Sequence, residues 1–288
     1  MHRFILHNDE ICDASAKVLC PGQVGVLAGW GVFSTLKVTG GVLFAFERHW
    51  ERMTKDAALF RVPFPGDPEY LRQRLLELVK ANQVSEGTLR VSVIRNRGGV
   101  WEGPGNTRDF DLIGLLTTLK SWGSGMKLTI QPQARHTGCG FAGAKILSWS
   151  MNLAWLEQAQ EKGFDEVILL NERGEVSECT SANIFAVEGR KVWTPPLESG
   201  CLPGVTREIL LEEIRVPGLE LGEKPLLAAD LERADEVFIT SSTRDLLPVL
   251  SVEGLRIGAP GPVRAALQEA FERYTEQYVA ENKGAAVG

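Results

Sequence analysis

The chain has 288 residues, 44% hydrophobic and 24% charged, enough for two domains of ordinary size or one large one with a core to bury. A formal charge of −6 gives no basic footprint for nucleic acid, and no run approaches the ~18 apolar residues of a membrane span. Five scattered cysteines without a Cys-x-x-Cys, four dispersed histidines and a first nine residues without a signal-peptide core argue for a reducing cytoplasm, against a disulfide framework and against a metal site.

Residues 1–30 read as short strands broken by Pro21-Gly22 and Gly25. Residues 32–38 and 42–46 flank Thr39-Gly40-Gly41 and predict a hairpin with a glycine turn. Residues 47–59 have helical spacing, with Trp50, Met53 and Ala57 on the apolar side, and His49 and Arg52, three apart, share a face. A loop at 62–68 leads to a helix over 69–83 carrying Leu71, Leu75, Leu78 and Val79. Residues 88–95 alternate as a strand, with Leu89, Val91 and Val93 on one side and Thr88, Arg90 and Ser92 on the other. The stretch 95–105 reads as a flexible loop, placed to act as a lid or dimer contact. Residues 110–119 form another strand, and Ser121-Trp-Gly-Ser-Gly125 is an interdomain linker between a smaller domain, 1–120, and a larger one, 126–288.

Gly138-Cys-Gly-Phe-Ala-Gly143 satisfies Gly-x-Gly-x-x-Gly and, with Ala144-Lys145, nearly spells a P-loop. The lysine comes one place late, Ile146 stands near where Ser or Thr is needed, and no apolar strand runs directly into the glycines, so a nucleotide site is set aside. Lys145 stands at the head of a helical run, and 149–162 is a helix with Leu153, Leu156 and Ala159 on one face, closed by Gly163. Residues 164–187 organise the chain as a hairpin around Asn171-Glu-Arg-Gly174, whose second arm is crowded with Ser177, Glu178, Thr180, Ser181 and Asn183. Glu178 is there either as a solvated strand end or as a buried acid with something to hold. Leu202-Pro-Gly-Val-Thr-Arg207 leads into a helix over 207–215, where Thr206 reads as an N-cap and the helix start also as an anion site. A helix over 224–234 and a strand over 236–240 follow, the strand running into Ser241-Ser-Thr-Arg-Asp. The last element is an amphipathic helix, 262–281, with Val263, Ala266, Leu267 and Phe271 inward.

Lys145, Glu178-Cys-Thr-Ser-Ala-Asn-Ile-Phe and Leu202-Pro-Gly-Val-Thr-Arg, in that order and spacing, resemble the fold-type IV pyridoxal-phosphate (PLP) enzymes: branched-chain and D-amino-acid aminotransferases and aminodeoxychorismate lyases. The resemblance runs from about Gly29 to Val249 and implies an α+β and α/β fold in two domains, D-amino-acid-aminotransferase-like, acting as a homodimer with PLP at the domain interface. By that resemblance Lys145 forms the Schiff base and moves the Cα proton, Glu178 pairs with the pyridine nitrogen, and Leu202 packs on the ring. Arg52, Val205, Thr206, Ser242 and Thr243 hold the phosphate, Phe33 lines the substrate cavity and Arg90 takes the substrate carboxylate. Taken singly, core packing is the commoner role for Phe33, and a solvated face for Arg52. The implied reaction is transfer of an amino group between an amino acid, branched-chain-like, and a 2-oxo acid. The alternatives are a 4-amino-4-deoxychorismate lyase releasing pyruvate and 4-aminobenzoate, which Phe141-Ala-Gly-Ala-Lys145 and the 95–99 stretch resemble more closely, and a D-amino-acid aminotransferase. Thr88 stands where branched-chain enzymes carry a tyrosine.

Overall fold

The long pairing of residues 31–38 with 87–94 organises the first sheet. In the computed structural model, which describes residues 1–103 and 107–283, β1 (Phe4–His7), β2 (Glu10–Asp13), β3 (Gly31–Thr39), β4 (Val42–Leu43), β5 (Gly87–Arg95) and β6 (Phe110–Thr117) are antiparallel, in the order β2-β1-β6-β5-β3-β4. Between them lie α1 (Val24–Ala28), α2 (Phe46–Leu59) and α3 (Pro68–Ala81). The Asp67 carboxylate caps α3, accepting the N–H groups of Glu69 and Tyr70, and Pro68 occupies the first turn, where no N–H is needed.

Leu36, Val38, Leu89, Val91 and Val93 form one core with Met53 and Ala57 of α2 and Leu71, Leu75 and Leu78 of α3. Opposite residues of an antiparallel pair share a face. Ser34, opposite Val91, therefore joins the helix-covered side, while Phe33, opposite Ser92, and Thr35, opposite Arg90, share the other.

This unit comprises Met1–Lys120 together with Lys145–Trp149 and the chain from Thr275. The Phe33 N–H donates to the Lys145 carbonyl (3.1 Å), the Leu147 N–H donates to the Gly31 carbonyl (2.9 Å), and Ile146 bridges Val32 on the edge of β3. Lys145 consequently does not head a helix: a strand edge with open hydrogen-bonding groups captures the segment, and the next helix begins at Ser150.

The second unit comprises Ser121–Ala144 and Ser150–Tyr274. Its elements are β7 (Met126–Arg135), α4 (Ser150–Glu161), β8 (Glu166–Asn171), β9 (Glu175–Cys179), β10 (Asn183–Glu188), β11 (Lys191–Thr194), α5 (Val205–Glu212), β12 (Glu220–Glu223), β13 (Leu226–Leu227), α6 (Ala228–Arg233), β14 (Glu236–Ser241) and β15 (Asp245–Val252). The strands form one mixed sheet ordered β12-β11-β10-β14-β15-β7-β8-β9-β13. Ile184, Ala186, Val237 and Ile239 enter one core with Leu128, Ile168 and Val249, and Phe185 and Phe238, on the opposite side, stack 5.0 Å apart. With both faces buried, these strands read as continuous apolar runs. The last helix, α7 (Pro262–Asn282), buries Leu267, Ala270 and Phe271.

Several expected elements are redrawn. Gly25 lies inside the short helix α1 rather than between strands. The 164–187 hairpin is real over β8 and β9, but its second arm breaks at Thr180–Ala182, and β10 leaves to pair with β14. On α4, Leu153 is 53% exposed, and Asn152 and Ala159 are the buried positions. The expected helix over 224–234 is β13 followed by α6 only, because Leu226 and Leu227 pair with Val176 and Glu175. Of the 95–105 loop, Pro104 and Gly105 lie outside the described residues.

A Cβ on Gly31 would stand 2.4 Å from the Val93 carbonyl oxygen and 2.5 Å from the Leu147 side chain, so the close pairing of the Lys145 segment requires glycine there. Gly31→Ala is expected to cost about 1–3 kcal/mol of unfolding free energy, as overpacked sites do, measured by urea denaturation. An unchanged midpoint would contradict the packing described.

Candidate active site

Helix α2 carries His49, Arg52 and Asp56 at positions i, i+3 and i+7, which places all three on its buried face. Arg52 donates from one terminal nitrogen to Ser34 Oγ (2.7 Å), and Ser34 Oγ lies 2.7 Å from His49 Nδ1. The Asp56 carboxylate accepts the backbone N–H of Lys145 (3.1 Å). Burial raises the Asp56 carboxyl above the usual carboxylate range, against the pull of the Lys145 N–H and of the Arg52 and Lys145 charges. Burial holds His49 well below the usual imidazole range, and the Arg52 and Lys145 charges push the same way.

On the opposite face of the sheet, Phe33 gathers two cations. Lys145 Nζ lies 4.7 Å from its ring centre and Arg90 Cζ 3.6 Å; Trp149 meets Phe33 edge-on, 5.8 Å centre to centre. Each cation is held by the π face of the ring. Burial lowers Arg90 below the usual guanidinium range, and no acidic side chain among the described residues pairs with it. A partly desolvated guanidinium of this kind is a ready receptor for a carboxylate.

In the second unit Glu178 is a buried acid rather than a solvated strand end. Its Oε1 accepts from Arg135 Nε (2.9 Å) and its Oε2 from the Leu202 backbone N–H (3.0 Å). Arg135 also donates to Asn152 Oδ1 (3.2 Å), whose amide donates to the Thr180 carbonyl (2.7 Å). Asn183, the first residue of β10, donates to the Leu202 carbonyl (2.9 Å) and pairs with Thr240, just before the turn that carries Ser242 and Thr243. The unit thus ties Glu178 and Leu202 together directly, and Asn183 links Leu202 to the strand that leads into Ser242 and Thr243.

Gly204, not Thr206, is the N-cap of α5, so Val205 and Thr206 are its first two residues. No side chain caps this end, leaving the N–H groups of a buried helix start to find another acceptor. A Cβ on Gly204 would lie 2.0 Å from Asn183 Oδ1, which accounts for the glycine.

The polar crowd around Glu178 divides. Thr180 and Ser181 give their hydroxyls to Glu166, a fully buried carboxylate that also accepts the Thr180 N–H and faces Arg244 at 3.4 Å. Arg244 in turn donates to the Ser181 carbonyl (3.1 Å) and stacks 3.9 Å from Trp122, whose indole N–H donates to the Thr243 carbonyl (3.0 Å). Burial raises the Cys179 thiol well above the usual range and pushes Cys201 up to about 12, so neither is a nucleophile.

Sequence reasoning missed Ser34, Asp56, Arg135, Asn152, Glu166 and Arg244. A signal existed for Asp56 alone, which continues the His49/Arg52 helical spacing by one further turn.

The model of the family described as amino-transferase class IV matches residues 31–252. The chain belongs to this family. It is 30% identical over 274 residues to a D-alanine aminotransferase of Bacillus licheniformis, covering 93% of this chain and 95% of that one. It is 28% identical over 253 residues to a putative branched-chain-amino-acid aminotransferase of Methanocaldococcus jannaschii, covering 86% and 88%. Its fold matches the crystal structure of the Escherichia coli branched-chain amino acid aminotransferase with a TM-score of 0.87 at 23% identity, over 96% of this chain and 95% of the other. The fold is therefore the two-sheet α/β architecture of class IV aminotransferases, and the chain is an enzyme of a PLP-using family.

The donor set suits that cofactor. Each unit by itself holds groups that fit part of it: in the first, Arg52 is a donor suited to a phosphate and Lys145 an amine suited to an aldehyde; in the second, the uncapped start of α5 offers N–H groups to a phosphate and Glu178 is an acid suited to a pyridine nitrogen. No helix of the described residues is long and apolar enough to cross a membrane.

His49 gives a pH test. The unfolded chain protonates this imidazole below about 6.5, whereas the fold keeps it neutral to well below that value. Stability is therefore full above 6.5 and falls as the pH drops beneath it, by at most about 1.4 kcal/mol per pH unit for one proton. His49→Asn is expected to flatten this slope in urea titrations between pH 7 and 5; equal slopes in both proteins would contradict the assignment.

Proposed function

We propose that the chain is a PLP-dependent aminotransferase that moves an amino group between an amino acid with a branched-chain-like side chain and a 2-oxo acid. The observation that carries this reading is the pair of cations on Phe33. An amine able to hold an aldehyde and a guanidinium able to hold a carboxylate share one aromatic ring, as the amino and carboxylate ends of an amino-acid substrate require.

PLP, when bound, supplies an aldehyde and an electron-accepting ring. Lys145 is the amine that would hold the aldehyde carbon and the base that would take the substrate Cα proton and return it. Glu178, fixed at both oxygens by Arg135 and the Leu202 N–H, keeps a proton on the pyridine nitrogen. Leu202 would pack on the ring. Arg52, the Val205 and Thr206 N–H groups, the Thr206 hydroxyl, Ser242 and Thr243 bind the phosphate, and Arg90 binds the substrate carboxylate above Phe33. The reading includes a homodimer, supported by Val100 and Trp101, 94% and 77% exposed after β5, and a cytoplasmic setting, supported by free cysteines at every position.

The D-alanine relative favours a D-amino-acid donor as a second reading, and the resemblance of the 141–145 and 95–99 segments to aminodeoxychorismate lyases favours pyruvate release as a third. A panel of L- and D-amino acids added to the PLP-loaded protein separates them. L-leucine, L-isoleucine and L-valine are expected to bleach the visible band to the amine form of the cofactor, and a 2-oxo acid to restore it. Arg90→Ala is expected to raise the donor KM by roughly 10- to 100-fold with a smaller effect on kcat, the worth of a charged hydrogen bond. Turnover of D-alanine alone, or pyruvate released from aminodeoxychorismate without an acceptor, would replace the proposal.

A further inference from the structure

Ser34 and His49 belong to no role assigned so far. Both are buried, 0% and 1% exposed; Ser34 holds Arg52, the buried arginine of α2, and His49 holds Ser34. Guanidinium nitrogens only donate, so Ser34 Oγ accepts from Arg52, and the serine keeps a single O–H to give away. Its one acceptor among the described residues is His49 Nδ1, at 2.7 Å. His49 then carries its proton on Nε2, which has no hydrogen-bond partner among the described residues. The opposite tautomer would leave both the serine hydrogen and the Nε2 lone pair buried and unused, which is the more costly arrangement.

We propose that Ser34 and His49 are positioning residues that orient the Arg52 guanidinium for the cofactor phosphate, through a directed relay in which Arg52 donates to Ser34 and Ser34 donates to neutral Nε2–H His49. This rests on the reading of Arg52 as a phosphate ligand. The relay fixes the roll of a planar fork, and that roll decides whether a guanidinium can meet phosphate oxygens in its own plane. It adds no charge, because the imidazole beside Arg52 and Lys145 stays neutral, with the Asp56 carboxylate the acidic group on the same helix face. A charged imidazole there would compete with the arginine for the same anion.

The test compares the affinity of the apo protein for PLP with its affinity for pyridoxal, which lacks the phosphate. Ser34→Ala and His49→Leu are expected to weaken PLP about tenfold and leave pyridoxal unchanged, the loss of one hydrogen bond to a charged group. His49→Asn, whose Oδ1 can take the place of Nδ1 as acceptor, is expected to restore most of the PLP affinity. A purely structural role would weaken both ligands alike and would overturn the proposal, as would full PLP affinity in both variants. Arg52→Ala separates this from the underlying reading: if it leaves the PLP-to-pyridoxal ratio unmoved, the phosphate assignment itself fails. If the variants do not fold, 15N NMR of His49 in the wild-type apo protein decides the point. Signals of a neutral Nε2–H imidazole that persist below pH 6.5 are expected; a Nδ1–H tautomer, or titration near 6.5, would overturn the relay.

Discussion

The peptide of Lys145 is held from two sides: its carbonyl accepts from Phe33 on β3 and its N–H donates to the carboxylate of Asp56 on α2. A reactive amine on a four-carbon stem is only as well placed as the backbone beneath it. Here the backbone is clamped between a sheet edge and a helix, and the same helix face that offers Asp56 also carries Arg52 and His49. One amphipathic helix face therefore locates both the amine and the guanidinium. Its burial comes at an electrostatic cost that shows in the raised Asp56 carboxyl and the neutral imidazole.

The second unit solves a similar problem with carboxylates. Glu178 is gripped by Arg135 and the Leu202 N–H, so that an acid in a buried position stays oriented. Behind it Glu166 pulls in Thr180, Ser181 and Arg244, tying the break between β9 and β10 to the turn between β14 and β15. A buried carboxylate with several donors of its own is a costly device justified by the loops it fixes. The break follows Glu178 by one residue, and the turn carries Ser242 and Thr243.

Much of this was legible in the chain because it is periodic or local. The alternation of residues 88–95, the helical spacing of 69–83 and the glycine turns follow from backbone geometry alone. The motif residues Lys145, Glu178 and Thr206 stood out through their neighbours. What was hidden depends on register between distant strands. Arg135 reaches Glu178 because a bulge between Gln131 and Arg135 re-aims the end of β7, and no sequence pattern announces that. Lys145 read as the head of a helix because the helix that follows is genuine, and only the open edge of β3 shows why the chain stays extended until Ser150. The crowding of Thr180 and Ser181 beside Glu178 has no reason visible in the chain, because their acceptor is Glu166, at the head of an apolar run more than ten residues earlier. The N-cap moved from Thr206 to Gly204, a shift within the usual blur of helix ends, yet it changes which N–H groups are available.

The most direct test of the account is chemical. The PLP-loaded protein is treated with sodium borohydride, digested and mapped by mass spectrometry, with Lys145→Ala alongside. The account predicts a pyridoxyl group fixed on the peptide that contains Lys145 and none in the variant. A label on any other lysine, or a loaded protein that carries no label at all, would contradict it.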